Sequence, residues 1–283
     1  MQLVADSASI VRPRRGVATV DVVSGRYDLD VAVEFGSVTK VVTATLLDEL
    51  ERVGQIDPDG PLEEYLPVPA GTKITPRLLV QHRSGLQRLP PNIPVRSRQP
   101  YAAFDDAALE AVLQTLPRWQ VGQVGRTEYS NLGYAVLGAA LAAAGGAGWF
   151  TLAQRHVLLP LGLVDVADSR PSRSLVGLGL LGRERGPWIM HEPLRPVGGL
   201  WGSVRDMLGL LDGLVVKPEL GPPSQAWQRS GSVLWHNGAT RDAAAVVAAD
   251  TDTGGAVVLH TLGVPPEKTD ARGVALLREH NPA

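Results

Sequence analysis

Apolar and polar residues alternate along 17–23 (VATVDVV) and again along 29–35 (LDVAVEF), and the stretch between them, Ser24-Gly25-Arg26-Tyr27-Asp28, is rich in turn formers. This pattern predicts an N-terminal β-hairpin. Toward the other end, 232–236, 243–249 and 256–262 predict three more short strands, the last two joined by Asp250-Thr251-Asp252-Thr253-Gly254-Gly255. The sheet therefore draws on both ends of the chain. Thr269-Asp270 can cap a last helix running to about His280, with Val274, Leu276 and Leu277 as its apolar face. Between the sheet segments the period turns helical. Residues 38–53 place apolar side chains at 38, 41, 42, 46, 47 and 50 and stop at Gly54, and further helices are predicted at 75–81, 105–116, 131–144, 149–157 and 203–215. A sheet interrupted by a helical insertion divides the chain into a mixed α/β part, 1–45 with 200–283, and a helical part, 46–199.

Composition narrows the functional classes. With 283 residues, 44% hydrophobic and 20% charged, the chain can bury a sizeable core. A net charge of −2 supplies no basic stripe for phosphates, so nucleic acid is not an expected partner. The absence of cysteine removes disulfides, thiolate catalysis and Cys-based metal sites, and the six histidines form no H-E-x-x-H pattern. Neither metal nor cofactor is expected. The opening segment, MQLVADSASIVRPRRG, has no apolar export core, which makes the cytoplasm the expected compartment. The longest uncharged run, 131–154, is long enough to span a bilayer but only mildly hydrophobic, and reads as a buried helix rather than a membrane span.

Ser37-Val38-Thr39-Lys40 lies where a strand hands over to a helix, and the i, i+3 spacing brings hydroxyl and amine to one helical face. A serine in the first turn also feels the positive end of the helix dipole, which favours developing negative charge and disfavours a protonated amine nearby. Burial of Lys40 would let it accept the serine proton near neutral pH. The spacing alone arises by chance about once in a chain of this size, where it marks a capping serine and a solvated lysine. Here only four lysines exist (40, 73, 217, 268), and Lys40 sits inside the apolar stretch FGSVTKVVTATLL. Surface decoration explains it poorly.

FGSVTK at 35–40, Tyr129-Ser130-Asn131 and His236-Asn237-Gly238 follow the order and approximate spacing of the penicillin-recognising serine enzymes, and the chain resembles the class C β-lactamase relatives among them. ITPRLLVQHRSGL (74–86), YSNLGYAVLG (129–138) and PVGGLWGSVRDM (196–207) are similar to stretches of the esterase and D-aminopeptidase branches. The resemblance implies an α/β (α+β) fold of the β-lactamase/transpeptidase type. An antiparallel sheet would be flanked by helices, with a helical subdomain and an active site at their junction. It also implies roles. Ser37 would be the nucleophile, Lys40 and Tyr129 would share base and proton-donor work, and Asn131 would donate its amide to a substrate carbonyl. His236-Asn237-Gly238 would form the strand facing the nucleophile, with Gly238 leaving room for substrate and Ala239 pairing its N–H with that of Ser37 as oxyanion donors. As isolated features, Tyr129-Ser130-Asn131 reads as a capped helix start and His236 as a bonded core histidine.

The departures matter too. β-Lactamases and DD-peptidases usually carry lysine where this chain has His236, and a histidine is only partly cationic at neutral pH. Carboxylate-anchored substrates would be held less firmly, while neutral esters or amides would lose little. The N-terminal region and 131–236 also look short for the family, which implies an open pocket. His82 matches a structural H-x-S-G-L position. Trp201 and Trp235 are weak pocket candidates, and Arg241 and Arg126 weak anion candidates. The expected function is acyl transfer through Ser37 from a small-molecule acyl donor to water, or to an amine or alcohol acceptor. This fits an intracellular esterase or a transacylase of natural-product biosynthesis. A β-lactamase or D-amino-acid peptidase is the alternative within the enzymes, and a non-catalytic binding module the alternative outside them.

Overall fold

The computed structural model describes residues 6–280; the first five residues of the segment screened for an export signal lie outside the described residues. The strands are β1 (Asp6–Arg12), β2 (Val20–Ser24), β3 (Val33–Glu34), β4 (Trp201–Gly202), β5 (Gln228–Ser230), β6 (Val233–Ala239), β7 (Ala243–Asp250) and β8 (Ala256–Leu262). The helices are α1 (Thr39–Arg52), α2 (Pro76–Val80), α3 (Asp106–Gln114), α4 (Asn131–Gly145), α5 (Trp149–Ala153), α6 (Arg195–Gly198), α7 (Val204–Leu211) and α8 (Pro266–His280). They fall into two units, the first made of Met1–Val41, Leu158–Pro187 and Gly198–Ala283, the second of Val42–Val157 and Trp188–Val197. Relative to the division expected from sequence, 158–187 fold with the first unit. Backbone bonds hold them there: Leu175 N–H donates to Ala32 O at 2.8 Å, and Trp201 and Ala167 exchange bonds at 2.8 and 2.9 Å.

The first unit is built on an antiparallel sheet of order β2-β1-β8-β7-β6-β5. Every residue of β8 and nearly all of β7 are buried, because α8 and α7 both pack across the central strands. That is why these strands read as unbroken apolar runs. On the α8 face, Leu276 and Leu277 pack with Val11, Val246, Ala248, Val257 and Leu259, and Val233 and Trp235 complete the cluster. The predicted N-terminal hairpin is corrected. Its strands are β1 and β2, and 29–35 contributes only β3, which pairs with β4. β1 carries just three apolar residues, Ala8, Ile10 and Val11, in DSASIVR, so its alternation was faint, yet it lies between β2 and β8. Ahead of β3, the Asp28 carboxylate accepts the N–H of Asp30 at 2.9 Å, a local turn bond that competes with a strand ladder.

In the second unit, local chemistry sets the helix ends. Thr75 caps α2 through Leu78 N–H, Asp105 caps α3 through Ala108 N–H, and Ser130 caps α4 through Gly133 N–H. α4 ends at Gly146, whose φ of 67° is left-handed. α4 and the segment Trp149–Leu158 are bent by 72°, and among the described residues no single helix is long and apolar enough to cross a membrane. α4 is largely buried, as a core helix would be.

Candidate active site

The predicted site residues divide between the two units: Ser37, Lys40 and 236–239 lie in the first, Tyr129 and Asn131 in the second. In the first unit a tight turn, Gly36–Val38, joins β3 to α1, and it carries Ser37 half-exposed above a fully buried Lys40. Lys40 Nζ lies 3.0 Å from Ser37 Oγ and is hydrogen-bonded to it. The backbone around the turn is strapped by Leu200, whose O accepts from Phe35 N–H at 2.9 Å and whose N–H donates to Thr39 Oγ1 at 3.2 Å.

Three glycines let this turn press against the sheet. Gly36 has φ 52°, and a Cβ there would sit 2.9 Å from Ala239 N; a Cβ on Gly238 would sit 2.2 Å from Phe35 O and 3.1 Å from Ser37 N; one on Gly198 would lie 3.3 Å from Gly36 C. The room that Gly238 makes is therefore taken by the turn that carries Ser37, not by substrate, which corrects the expected role. The same approach brings the amides of Ser37 and Ala239 close. Thr240 N–H bonds Ala243 O, toward β7, so strand alternation turns the Ala239 N–H toward the opposite edge. β5 pairs only with Val233–Trp235 of β6, so its ladder does not reach Ala239.

Alternation also sorts the third motif. His236 shares the Gly238 face. It is buried, and its Nδ1–H donates to Asn237 O at 2.8 Å, leaving the lone pair on Nε2. Burial above all pushes its pKa down to about 4, so it is neutral at pH 7. Asn237 points to the other face, where its Nδ2 donates to Asp270 on α8 at 2.7 Å. Its side chain is thus not on the face that meets the Ser37 turn, and Trp235, packed into the α8 cluster, is not on that face either. Trp201 is buried in the β3–β4 pair, and Arg241 donates to Gly186 O at 3.0 Å. Behind Ser37, sequence reasoning missed Glu34, Tyr27 and His260. His260 Nε2–H donates to Glu34 O at 3.0 Å while Nδ1 accepts from Tyr27 OH at 2.5 Å. Both contacts suit a neutral ring, and burial holds its pKa near 4. The signal was slight: a lone histidine in an apolar strand.

In the second unit Tyr129 is half-buried at the start of α4. The His82 ring lies against it at 4.5 Å, and the Arg88 guanidinium stands 5.1 Å from its ring centroid. His82 braces the turn as expected of a structural residue: its Nδ1 accepts from Ser130 N–H at 3.1 Å and its O accepts from Glu128 N–H at 2.8 Å. Ser130 caps α4 while its hydroxyl donates to Gln87 O at 2.7 Å. Asn131 N–H donates to Arg88 O at 2.7 Å, and its side chain is hydrogen-bonded to Tyr101. Arg126 is exposed and sits 3.5 Å from Glu128. Arg88 and Tyr101 were not singled out in the sequence.

Known proteins agree with this picture of the fold. The D-alanyl-D-alanine-carboxypeptidase/endopeptidase AmpH of Escherichia coli K12 is 28% identical over 191 residues, 65% of this chain and 49% of that protein. The Beta-lactamase-like protein 2 of Dictyostelium discoideum is 28% identical over 63% of this chain and 35% of its own. The chain thus spans about half or less of the curated relatives it matches. Among solved structures, a class C β-lactamase from Rhodobacter sphaeroides superposes with a TM-score of 0.79 at 20% identity, over 98% of this chain and 94% of that one. A D-amino acid amidase from Ochrobactrum anthropi SV3 gives 0.80 at 19%, over 98% and 94%. Both have the same antiparallel sheet with flanking helices, the β-lactamase/transpeptidase fold. The Beta-lactamase family model matches residues 3–281, and the chain belongs to that family.

Proposed function

We propose that the protein is a serine hydrolase or acyltransferase that forms an acyl-enzyme on Ser37 with a small ester or amide. The observation that carries this reading is the 3.0 Å bond between a fully buried Lys40 amine and the Ser37 hydroxyl. In the proposed reaction, unprotonated Lys40 takes the Ser37 proton as Oγ bonds to the carbonyl carbon. The oxyanion is met by the N–H groups of Ser37 and Ala239, each such donor worth roughly 3 to 4 kcal/mol in acyl-transfer enzymes. Tyr129 gives its phenol proton to the leaving group, with Arg88 above its ring and Asn131 aiding the substrate carbonyl. Water, or an amine or alcohol, then attacks the acyl carbon and gives its proton to the Tyr129 phenolate, while Lys40 returns the first proton to Ser37 Oγ as the acyl group leaves. A neutral His236 supports uncharged acyl donors over carboxylate-bearing ones, and so an esterase or transacylase role.

A second reading, β-lactam or D-amino-acid amide hydrolysis, draws support from the names of AmpH and the D-amino acid amidase. A binding module without turnover is disfavoured, since a lysine with no reaction to serve gains nothing from complete burial. The test is intact-mass analysis of wild type and Ser37→Ala after exposure to a fluorophosphonate, p-nitrophenyl esters and nitrocefin, with and without amine acceptors. An adduct confined to wild type and faster ester than nitrocefin turnover are expected. Comparable nitrocefin turnover favours the second reading, and an adduct on both proteins or neither overturns the nucleophile.

A further inference from the structure

Glu34 stands three residues before Ser37, and no step of the proposed reaction uses it. It is a buried carboxylate, 9% exposed, and Thr240 Oγ1 donates to its Oε2 at 3.0 Å. Thr240 directly follows Ala239. The bond therefore closes a short ring, with Glu34-Phe35-Gly36-Ser37 on one side and Ala239-Thr240 on the other, and inside that ring the backbones already meet through Gly36 and Gly238. Two anchors keep the Glu34 side from drifting: His260 bonds its carbonyl from the sheet, and Leu200 bonds Phe35.

We propose that Glu34 is a positioning residue for the two backbone donors: through the bond from Thr240 it fixes Ala239 beside Ser37, more tightly when ionised than when neutral. This inference rests on the acyl-transfer reading of Ser37. A hydroxyl bond to a carboxylate is roughly twice as strong as one to a neutral acid, so the grip follows the charge on Glu34.

The surroundings put that charge change near neutrality. Burial pushes the Glu34 pKa up to about 7; the Thr240 bond opposes this, Asp242 adds to it and Arg170 opposes it. Asp242 comes from the β6–β7 turn and is itself 3.2 Å from Arg185 and 3.9 Å from Arg241. Arg170 comes from 158–187 and is paired with Glu184 at 2.8 Å. From the sheet side, His260 is neutral, and Tyr27, its phenol pushed well up by burial, is neutral too. Around pH 7 Glu34 changes charge while these two rings do not.

The experiment follows backbone amides by 15N NMR and fluorophosphonate labelling rates from pH 5.5 to 8.5 in wild type, Glu34→Gln, Thr240→Val and Thr240→Ser. In wild type the amides of Ser37, Ala239 and Thr240 should shift with a midpoint near the value to which Glu34 is raised, about 7, and in Glu34→Gln that step should vanish. At pH 8 labelling should fall about tenfold in Thr240→Val, the loss of one charge-assisted bond, and be retained in Thr240→Ser. Amides that titrate alike in wild type and Glu34→Gln overturn the inference. Should Glu34→Gln not fold, equal labelling of Thr240→Val and Thr240→Ser overturns it. A wild type that forms no Ser37 adduct defeats the acyl-transfer reading alone, because the amide titration needs no turnover.

Discussion

The two faces of β6 differ in what they ask of the same strand. On one face His236 and Gly238 meet the Phe35–Ser37 turn, with backbone against backbone and a neutral ring. On the other, Trp235 and Asn237 serve α8, one by packing and one by a bond to Asp270. Consecutive residues of one motif thus have unrelated jobs, so the motif as a string overstates the number of reactive side chains. The proposed reactivity depends on the first face, and stability on both.

The largest effect that would sharpen this contrast is Gly238→Val. Its branched side chain cannot occupy space 2.2 Å from Phe35 O, so the turn must withdraw, and Ser37 labelling should drop by about a thousandfold, the order of losing an oxyanion donor. Retained labelling would break the close-approach argument. Next in size is the acid sensitivity of the first face. His260 titrates near 4 when folded against 6.5 as its ordinary value, so its contribution is present above pH 6.5 and lost as pH falls through 4. A shift of this size is worth about 3 kcal/mol. Glu34 and Asp48, both raised to about 7, run the opposite way, gaining stability as pH falls. The change in urea stability on going from pH 7 to pH 4 should therefore be about 3 kcal/mol more favourable in His260→Gln than in wild type, since a glutamine can still donate to Glu34 O.

A smaller change tests selectivity. His236→Lys places a cation on the face that meets the Ser37 turn and should raise the kcat/KM ratio of carboxylate-bearing over neutral acyl donors by about tenfold. An unchanged ratio would remove His236 from substrate choice. The smallest effect belongs to the α8 face: Asn237→Ala should cost about 1 kcal/mol in urea unfolding and leave Ser37 labelling at the wild-type rate. A large drop in labelling there would dissolve the contrast between the faces.

The legible parts of the molecule were those whose physics is local. The strands predicted at 243–249 and 256–262, the amphipathic α1, and the capped start of α4 at Ser130 all announce themselves in a few residues. Ser37 and Lys40 stood out because a lysine in an apolar run demands a reason. β1 was missed because a strand with neighbours on both sides needs little alternation to be buried. Glu34, Tyr27 and His260 matter through partners 206 to 233 residues away, and Arg88 through its place over the Tyr129 ring, and no window along the chain contains such pairs. Asn237 shows the reverse case: parity along the strand could have placed it opposite Gly238, had the buried face been known.

The trio Gly36, Gly198 and Gly238 leaves the corner that holds Ser37 with no slack. Adding even one methyl at 36 or 238 would collide with main chain, which cannot rotate out of the way as a side chain does. Descendants of this sequence are therefore held to glycine at 36 and 238, and whatever else they vary must be built around a corner that cannot move.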